Sequence, residues 1–376
     1  MAHLSGLFLL DCPASALNNA GQFMEMEKQN RYENWAAIKK IKTKEGVFPY
    51  VSAQAFRSWL RESLRPIEGW TFSPTFREEK IAYTDANPIL YAEDDLFGYM
   101  RAPGGGKEAV EGLKGKWAKE GLTDQELRKD KFAALTRSSP LKVSTLISIS
   151  PLRSLEVGYD YGNMARTEDP EYPNPVPYEH EFYRTTLVGL FSVDLRMLGR
   201  FYHVDRTGYK HLDSVRKKLA QEKGLAAYDS DRAYELPINQ RKERLKQLLQ
   251  GLAQITGGAK LAIHYTDVSP RLLLMGVAKG GNHLFATAVG AERNGLPKIN
   301  TDALKEVARV HRNDLLSGFY VGLMQGYLDD QRAGLQTALD GLANEDSGRQ
   351  FTLAHPVEAV RTLIADIDKN GEVWLA

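Results

Sequence analysis

The apolar positions of this chain fall in short runs, separated by polar and turn-forming stretches. LSGLFLL (Leu4–Leu10) is nearly continuous apolar sequence and predicts a buried strand, ended by Asp11 and Pro13. A stretch rich in Asn and Gln follows. NWAAIKKIK (Asn34–Lys42) then reads as a second strand, Thr43–Gly46 as a turn and VFPYV (Val47–Val51) as the return. The clearest helical period covers Ser52–Arg65. Phe56, Trp59, Leu60 and Leu64 make its apolar face, while Gln54, Arg57, Arg61 and Arg65 share the other side. Ser52 is a natural N-cap, because its hydroxyl can accept a bond from an unpaired N–H of the first turn, and Pro66 stops the helix.

From about Gly69 to Arg137 the chain is apolar-poor in part, rich in Lys and Gly, and reads as an insertion or subdomain. SSPLKVSTLISISPL (Ser138–Leu152) returns to core-like composition. Val157–Glu181 carries Pro170, Pro173, Pro175 and Pro177, which argue against a regular helix or a central strand there. Such a long excursion is functional or disordered in most compact domains. Phe182–His203 is strand-rich, and LDSVRKKLAQEKG and INQRKERLKQLLQGLAQI are helical. The second of these has Leu245, Leu248, Leu249 and Leu252 on one face, with Arg241, Lys242, Arg244 and Lys246 before or beside it. KLAIHYT and RLLLMGVA read as strands, TDALKEVARVH as a helix capped by Thr301, SGFYVGLM as a strand, and PVEAVRTLIADID as a helix with Pro356 in its first turn. No repeat recurs at a fixed period. The order β-β-α, two insertions and a mixed remainder predicts an α+β fold. It suits a ferredoxin-like sheet with helices on one face, not the regular alternation of a doubly wound sheet.

Composition narrows the class. With 376 residues, two or three units of about 150 residues fit, as does one core with large insertions. An apolar content of 43% with 26% charged residues excludes wholesale disorder. The 49 basic residues nearly balance 48 acidic ones, which excludes a uniformly basic nucleic-acid binder but says nothing about where the charges sit. The single cysteine, Cys12, excludes an internal disulfide and a cysteine-based zinc site, and points to a cytoplasmic protein. No run approaches the roughly 18 apolar residues of a membrane span, and MAHLSGLFLLDCPAS lacks the basic start of a signal peptide.

Catalytic patterns are weak. Gly104, Gly105, Gly106 and Lys107 resemble a phosphate loop, yet Arg101 and Glu108 stand where that loop needs Gly and Ser or Thr. The eight histidines include no HxxxH pair, so no metal site is indicated. His264, in an expected strand, reads as a partly buried polar residue. Glu93, Asp94 and Asp95 form an acidic cluster that a solvated helix start explains as well as catalysis does.

The charge distribution is more informative. Between Arg31 and Arg65 lie eight basic residues (Arg31, Lys39, Lys40, Lys42, Lys44, Arg57, Arg61, Arg65) and three acidic ones, a local charge of +5. A basic strand thus leads through a turn to a helix N-terminus, whose free N–H groups and positive dipole end suit phosphate. Lys39 and Lys42 with Arg57 and Arg61 would flank such a phosphate, and Asn18, Asn19 and Gln54 suit sugar hydroxyls or phosphate oxygens. A solvated basic helix face accounts for the same residues. Leu155–Phe182 has the opposite sign, seven acids against Arg166, or −6. Its tip, Tyr161, Asn163 and Met164, suits a wedge against a base; a protein-contact loop or disorder also fits.

VFPYVSAQAFRSWLRESL, preceded by LNNAG (Leu17–Gly21) and KKIKTKEG (Lys39–Gly46), resembles the backbone subunit of Cascade-type CRISPR effector complexes. The branch it resembles is the DevR-type autoregulator family of type I-B systems, within the RAMP superfamily. SPLKVSTLISISP near Ser139 and Gly257–Asn282 agree with it. The resemblance implies a modified RNA-recognition-motif palm (1–68 with 138–154 and 183–376), a fingers insertion (69–137) and a thumb (155–182). It implies a non-catalytic subunit without cofactor or metal, copies of which line up along a CRISPR RNA guide, grip its phosphates, flip out one base in about six and support pairing with target DNA. Its partners would be further copies of itself and the large, end-capping and guide-processing subunits, away from any membrane. The family's Ser-x-Gln-x-x-Arg/Lys helix start falls on Ser52, Gln54 and Arg57, with Arg61 one turn on. Its asparagine falls on Asn18 or Asn19, its basic strand on Lys39, Lys40 and Lys42, and its base wedge on Met164 beside Arg166. Two other readings remain open: a metal-dependent endoribonuclease of the related type III kind, and a transcriptional regulator.

Overall fold

The computed structural model describes residues 1–18, 35–78, 81–101, 135–153, 157–163, 177–204, 210–228 and 232–376. In chain order the strands of the first half are β1 (Ala2–Ser15), β2 (Trp35–Ala36), β3 (Lys40–Thr43), β4 (Gly46–Val51), β5 (Thr75–Glu78), β6 (Ile81–Thr84), β7 (Tyr99–Arg101), β8 (Leu135–Arg137), β9 (Leu141–Val143), β10 (Leu146–Ser148), β11 (Val157–Asn163) and β12 (Pro177–Asp194). The second half adds β13 (Arg200–Tyr202), β14 (Ala226–Tyr228), β15 (Ala233–Glu235), β16 (Leu272–Lys279), β17 (Val289–Ala291), β18 (Pro297–Ile299), β19 (Leu315–Leu323) and β20 (Thr352–Ala354). The helices are α1 (Ala53–Leu64), α2 (Ala92–Phe97), α3 (Ser214–Glu222), α4 (Ile238–Ala253), α5 (Thr301–Val310), α6 (Asp329–Glu345) and α7 (Pro356–Trp374).

The main sheet runs β20-β19-β16-β1-β12-β10-β4-β3. Its centre is a β-α-β-β-α-β unit: β1, α1, β10, β12, α4 and β16 in sequence, with β1 lying antiparallel between β16 and β12, and β10 antiparallel outside β12. That is the split βαβ arrangement of ferredoxin-like folds, as the element order predicts. The β3–β4 hairpin widens the sheet at one edge, and β19 and β20 widen it at the other.

Helices cover both faces, not one as expected. Leu4, Phe8 and Leu10 point into a core with Phe56, Leu60 and Leu64 of α1, Leu245, Leu248 and Leu252 of α4, and Leu363 and Ile367 of α7. Leu7 and Leu9 point the other way, against Leu304 of α5 and Leu335, Leu339 and Leu342 of α6. A strand buried on both faces must be apolar at consecutive positions, which explains the unbroken run from Leu7 to Leu10. Each such leucine withdraws about 1.5–3 kcal/mol of apolar surface energy from water.

Three glycines admit aromatic rings on neighbouring strands. Phe8 lies opposite Gly189, Phe191 opposite Gly6 and Phe182 opposite Gly158. A Cβ on Gly189 would stand 2.3 Å from the Phe8 ring, and one on Gly6 would stand 2.1 Å from Phe191. The Phe8 ring also stacks on Phe56 of α1 at 4.9 Å, fixing that helix over the sheet.

Several sequence expectations are corrected. β1 does not end at Asp11 and Pro13 but runs to Ser15, and the register to β12 shifts between Cys12 and Ser15, where a proline without an N–H is tolerated. KLAIHYT is a loop, not a strand. Asn300, not Thr301, caps α5 by accepting the Ala303 N–H at 3.2 Å. The excursion after Val157 is regular in its described part: β11 pairs along the first residues of β12, with Pro177 at the strand's first position. Helix α6 is absent from the sequence expectation.

The segment after Gly69 joins the main core through Trp70, Ala92, Leu96 and Phe97. Its acidic cluster is not a solvated helix start, since Asp94 and Asp95 are buried. Asp95 pairs with Arg137 and, at 2.6 Å, with Arg244 of α4, and it accepts the Gly199 N–H at 3.0 Å. Of the charges expected beside the α4 leucines, Arg241, Lys242 and Arg244 are buried, whereas Lys246 pairs at the surface with Glu243 and Asp368. Arg241 donates to Leu195 O at 3.0 Å, Leu198 O at 2.7 Å and Glu235 at 2.7 Å.

Candidate nucleic-acid interface

Three pieces of chain meet at the N-terminus of α1. Asn18, just past β1, accepts the Lys39 N–H on its backbone carbonyl (3.2 Å) and the Ser52 N–H on its side-chain Oδ1 (3.1 Å). Lys39 in turn accepts the Tyr50 N–H at 3.0 Å. Ser52 is extended, at φ −64 and ψ 147, and its Oγ accepts the Ala55 N–H at 3.3 Å, the N-cap that the sequence predicts. Asn18 thus ties the end of β1, the start of the β3–β4 hairpin and the first turn of α1 into one rigid corner. Gln54 is exposed on that turn, and Lys42 and Lys44 are exposed along the hairpin. The side chains of Lys39, Lys44 and Gln54 have no partner among the described residues.

The other described basic groups of the segment, Lys40, Arg57, Arg61 and Arg65, are committed within the chain. Lys40 Nζ binds Glu181 at 3.0 Å, and the same carboxylate accepts the Ile38 N–H at 3.1 Å. Glu181, an acid of the negative excursion, is buried and works as an internal counter-ion. Arg57 donates to Leu141 O (2.8 Å), Ser139 Oγ (3.2 Å) and Phe97 O (2.5 Å). Burial, with Arg61 beside it, lowers the Arg57 pKa to about 10, so it stays charged at neutral pH. Arg61 pairs with Glu93 at 3.1 Å and lies 4.4 Å above the Phe97 ring. Arg65 pairs with Glu62 at 2.5 Å and stacks on Phe72. Arg57 and Arg61 therefore hold α1 against the 93–97 and 139–141 segments. No pattern in the sequence marks these contacts, because the acceptors, two backbone carbonyls and two side chains, come from segments distant in the chain.

Asn19, Arg31, Met164, Arg166 and the Gly104–Lys107 loop lie outside the described residues. His264 sits in a turn, with its ring 5.4 Å from Phe182, and is partly buried as expected. Among the described residues no group of three or more His, Cys, Asp or Glu side chains is placed to hold a metal, and no helix is long and apolar enough to cross a membrane.

Among solved structures, a chain of a "CRISPR RNA-guided surveillance complex" is similar over 97% of this chain and 99% of its own, at 11% identity and a TM-score of 0.48. A chain of a "CRISPR RNA-guided surveillance complex, pre-nicking" is similar over the same shares, at 10% identity and a TM-score of 0.49. No curated protein matches the sequence. The sequence profile of the CRISPR-associated negative auto-regulator DevR/Csa2 family matches residues 13–293, and the chain belongs to that family.

Proposed function

We propose that the protein is a non-catalytic backbone subunit of a type I-B-like CRISPR effector complex, and that it holds the guide RNA by its phosphates at the α1 corner. The observation that carries this reading is the Asn18 clamp. It fixes a capped helix N-terminus, an exposed amide on Gln54 and the lysines of the β3–β4 hairpin in one place, in a member of a CRISPR-associated family. Helix N–H groups and lysines together make a sequence-independent phosphate site. Lys39, Lys42, Ser52 and Gln54 meet the RNA in this reading, Asn18 positions them, and Arg57 and Arg61 brace the helix from behind.

The wider assembly follows from the same reading. Copies line up along the guide at about six nucleotides each, the 155–182 thumb with Met164 flips a base at each step, and target DNA pairs with the bases between. Lys39→Glu combined with Lys42→Glu tests the corner. The double variant should keep its thermal midpoint and lose guide RNA in co-purification. Full RNA retention by a folded double variant would reject the placement. Labelled RNA complementary to the guide should stay intact when the complex is incubated with Mg²⁺; regular cuts would instead identify an endoribonuclease.

A further inference from the structure

We propose that the 257–265 loop is a stacking platform for a base of single-stranded RNA, with Tyr265 as the ring that receives it. This rests on the phosphate site above and names what lies beside it. The sequence pattern KLAIHYT predicts a strand, but Gly257 and Gly258 lead into a turn in which Lys260 is left-handed at φ 55. The loop is firmly anchored. Gly257 lies against the Trp59 indole, where a Cβ would come within 2.2 Å of the ring. Ser15 Oγ donates to the His264 carbonyl at 3.2 Å, and the Ile263 and His264 N–H groups bond the Lys260 carbonyl at 3.0 and 2.9 Å.

This anchored loop nevertheless turns large apolar side chains to water: Leu261 is 42% exposed, Ile263 54% and Tyr265 78%. A cluster of that kind marks a binding surface. Its anchors identify the occupant. Trp59 belongs to α1, whose first turn carries Ser52 and Gln54; Ser15 precedes Asn18 by three residues; and Gly258 lies beside Leu17. The platform thus rests on the same two elements, the end of β1 and helix α1, that build the lysine-bearing corner. A cationic track for the backbone with an exposed aromatic beside it is the arrangement that receives unstacked bases.

The test uses the full chain with two fluorescent probes: a short oligouridylate, and a strand of equal length with the same sugar-phosphate backbone but no bases. Tyr265→Ala should weaken oligouridylate binding about tenfold, leave the abasic strand unaffected and keep the salt dependence, while Tyr265→Phe should bind as wild type does. Undiminished oligouridylate binding by Tyr265→Ala, or an equal loss on both strands, overturns the proposal. So does a change in sedimentation of the RNA-free protein on Tyr265→Ala, which would make the patch a protein contact. The wild type alone gives a second decision if the alanine variant misfolds. Equal affinity for both strands rejects the platform and leaves the phosphate site standing, whereas binding of neither rejects both.

Discussion

At the scale of single residues, the Gly–Phe pairs decide whether the helices can sit on the sheet. Phe8 fills the space over Gly189 and stacks on Phe56, so one ring joins β12, β1 and α1. Gly189→Ala would set a methyl 2.3 Å from that ring, whose atoms are its three nearest neighbours, so the ring is what must move. Overpacking of this kind costs about 1–3 kcal/mol, here with added loss of the Phe8–Phe56 stack. The urea midpoint of Gly189→Ala should fall accordingly, and the same substitution in a Phe8→Leu background should cost less. Equal costs in both backgrounds would show that Phe8 is not what Gly189 makes room for. The sequence displays GLF at Gly6–Phe8 and VGLF at Val188–Phe191 as apolar runs. It cannot display that each glycine faces the other run's phenylalanine, because that depends on the register between strands far apart in the chain.

At the scale of elements, His211 joins two strands that the sequence does not connect. Its Nδ1 accepts the Tyr202 N–H from β13 at 3.2 Å and stands 3.0 Å from Arg137 Nη1 on β8. Burial, reinforced by the Arg137 charge, lowers the His211 pKa to about 2 from an ordinary value near 6.5. The sign follows from proton uptake. Below about pH 6.5 the unfolded chain binds a proton that the folded one refuses, so stability falls as pH drops through that window, by at most about 1.4 kcal/mol per unit. His211→Asn keeps an acceptor near the same position and does not titrate. Its denaturant midpoint should therefore decline less than that of the wild type between about pH 7 and pH 5. Identical declines would place the acid sensitivity elsewhere.

Elements with a local cause were legible. The Ser52 cap, the α1 apolar face and β16 and β19 follow from periodicity and punctuation alone. Helix α6 is missing from the sequence expectation although Leu335, Ala338, Leu339 and Leu342 recur at helical spacing and are buried. KLAIHYT misled because alternation alone cannot distinguish a half-buried strand from a loop whose apolar side chains face outward. The buried arginines were illegible because their partners, Asp95, Glu235 and several carbonyls, meet them only in the fold.

At the scale of the whole molecule, near-neutrality hides a division of labour among the charges. The 31–65 segment holds eight cations, seven of them among the described residues: Lys40, Arg57, Arg61 and Arg65 have acidic or carbonyl partners within the chain, Lys39 is half-buried, and Lys42 and Lys44 are exposed on the hairpin. Charge count and phosphate contacts should therefore diverge. Each phosphate neutralised on a single strand contributes about −0.7 to the slope of log affinity against log salt, so eight contacts would contribute about −6 and three about −2. Replacing Lys39, Lys42 and Lys44 with Gln should make the slope shallower by about 2, at one phosphate per lysine. Arg61→Gln should leave the slope unchanged and act on stability, because it removes the cation that faces the half-buried Glu93 and the Phe97 ring. A slope change of similar size on Arg61→Gln would mean that RNA draws this arginine out of its ion pair, and that the basic segment rearranges when it meets the polyanion.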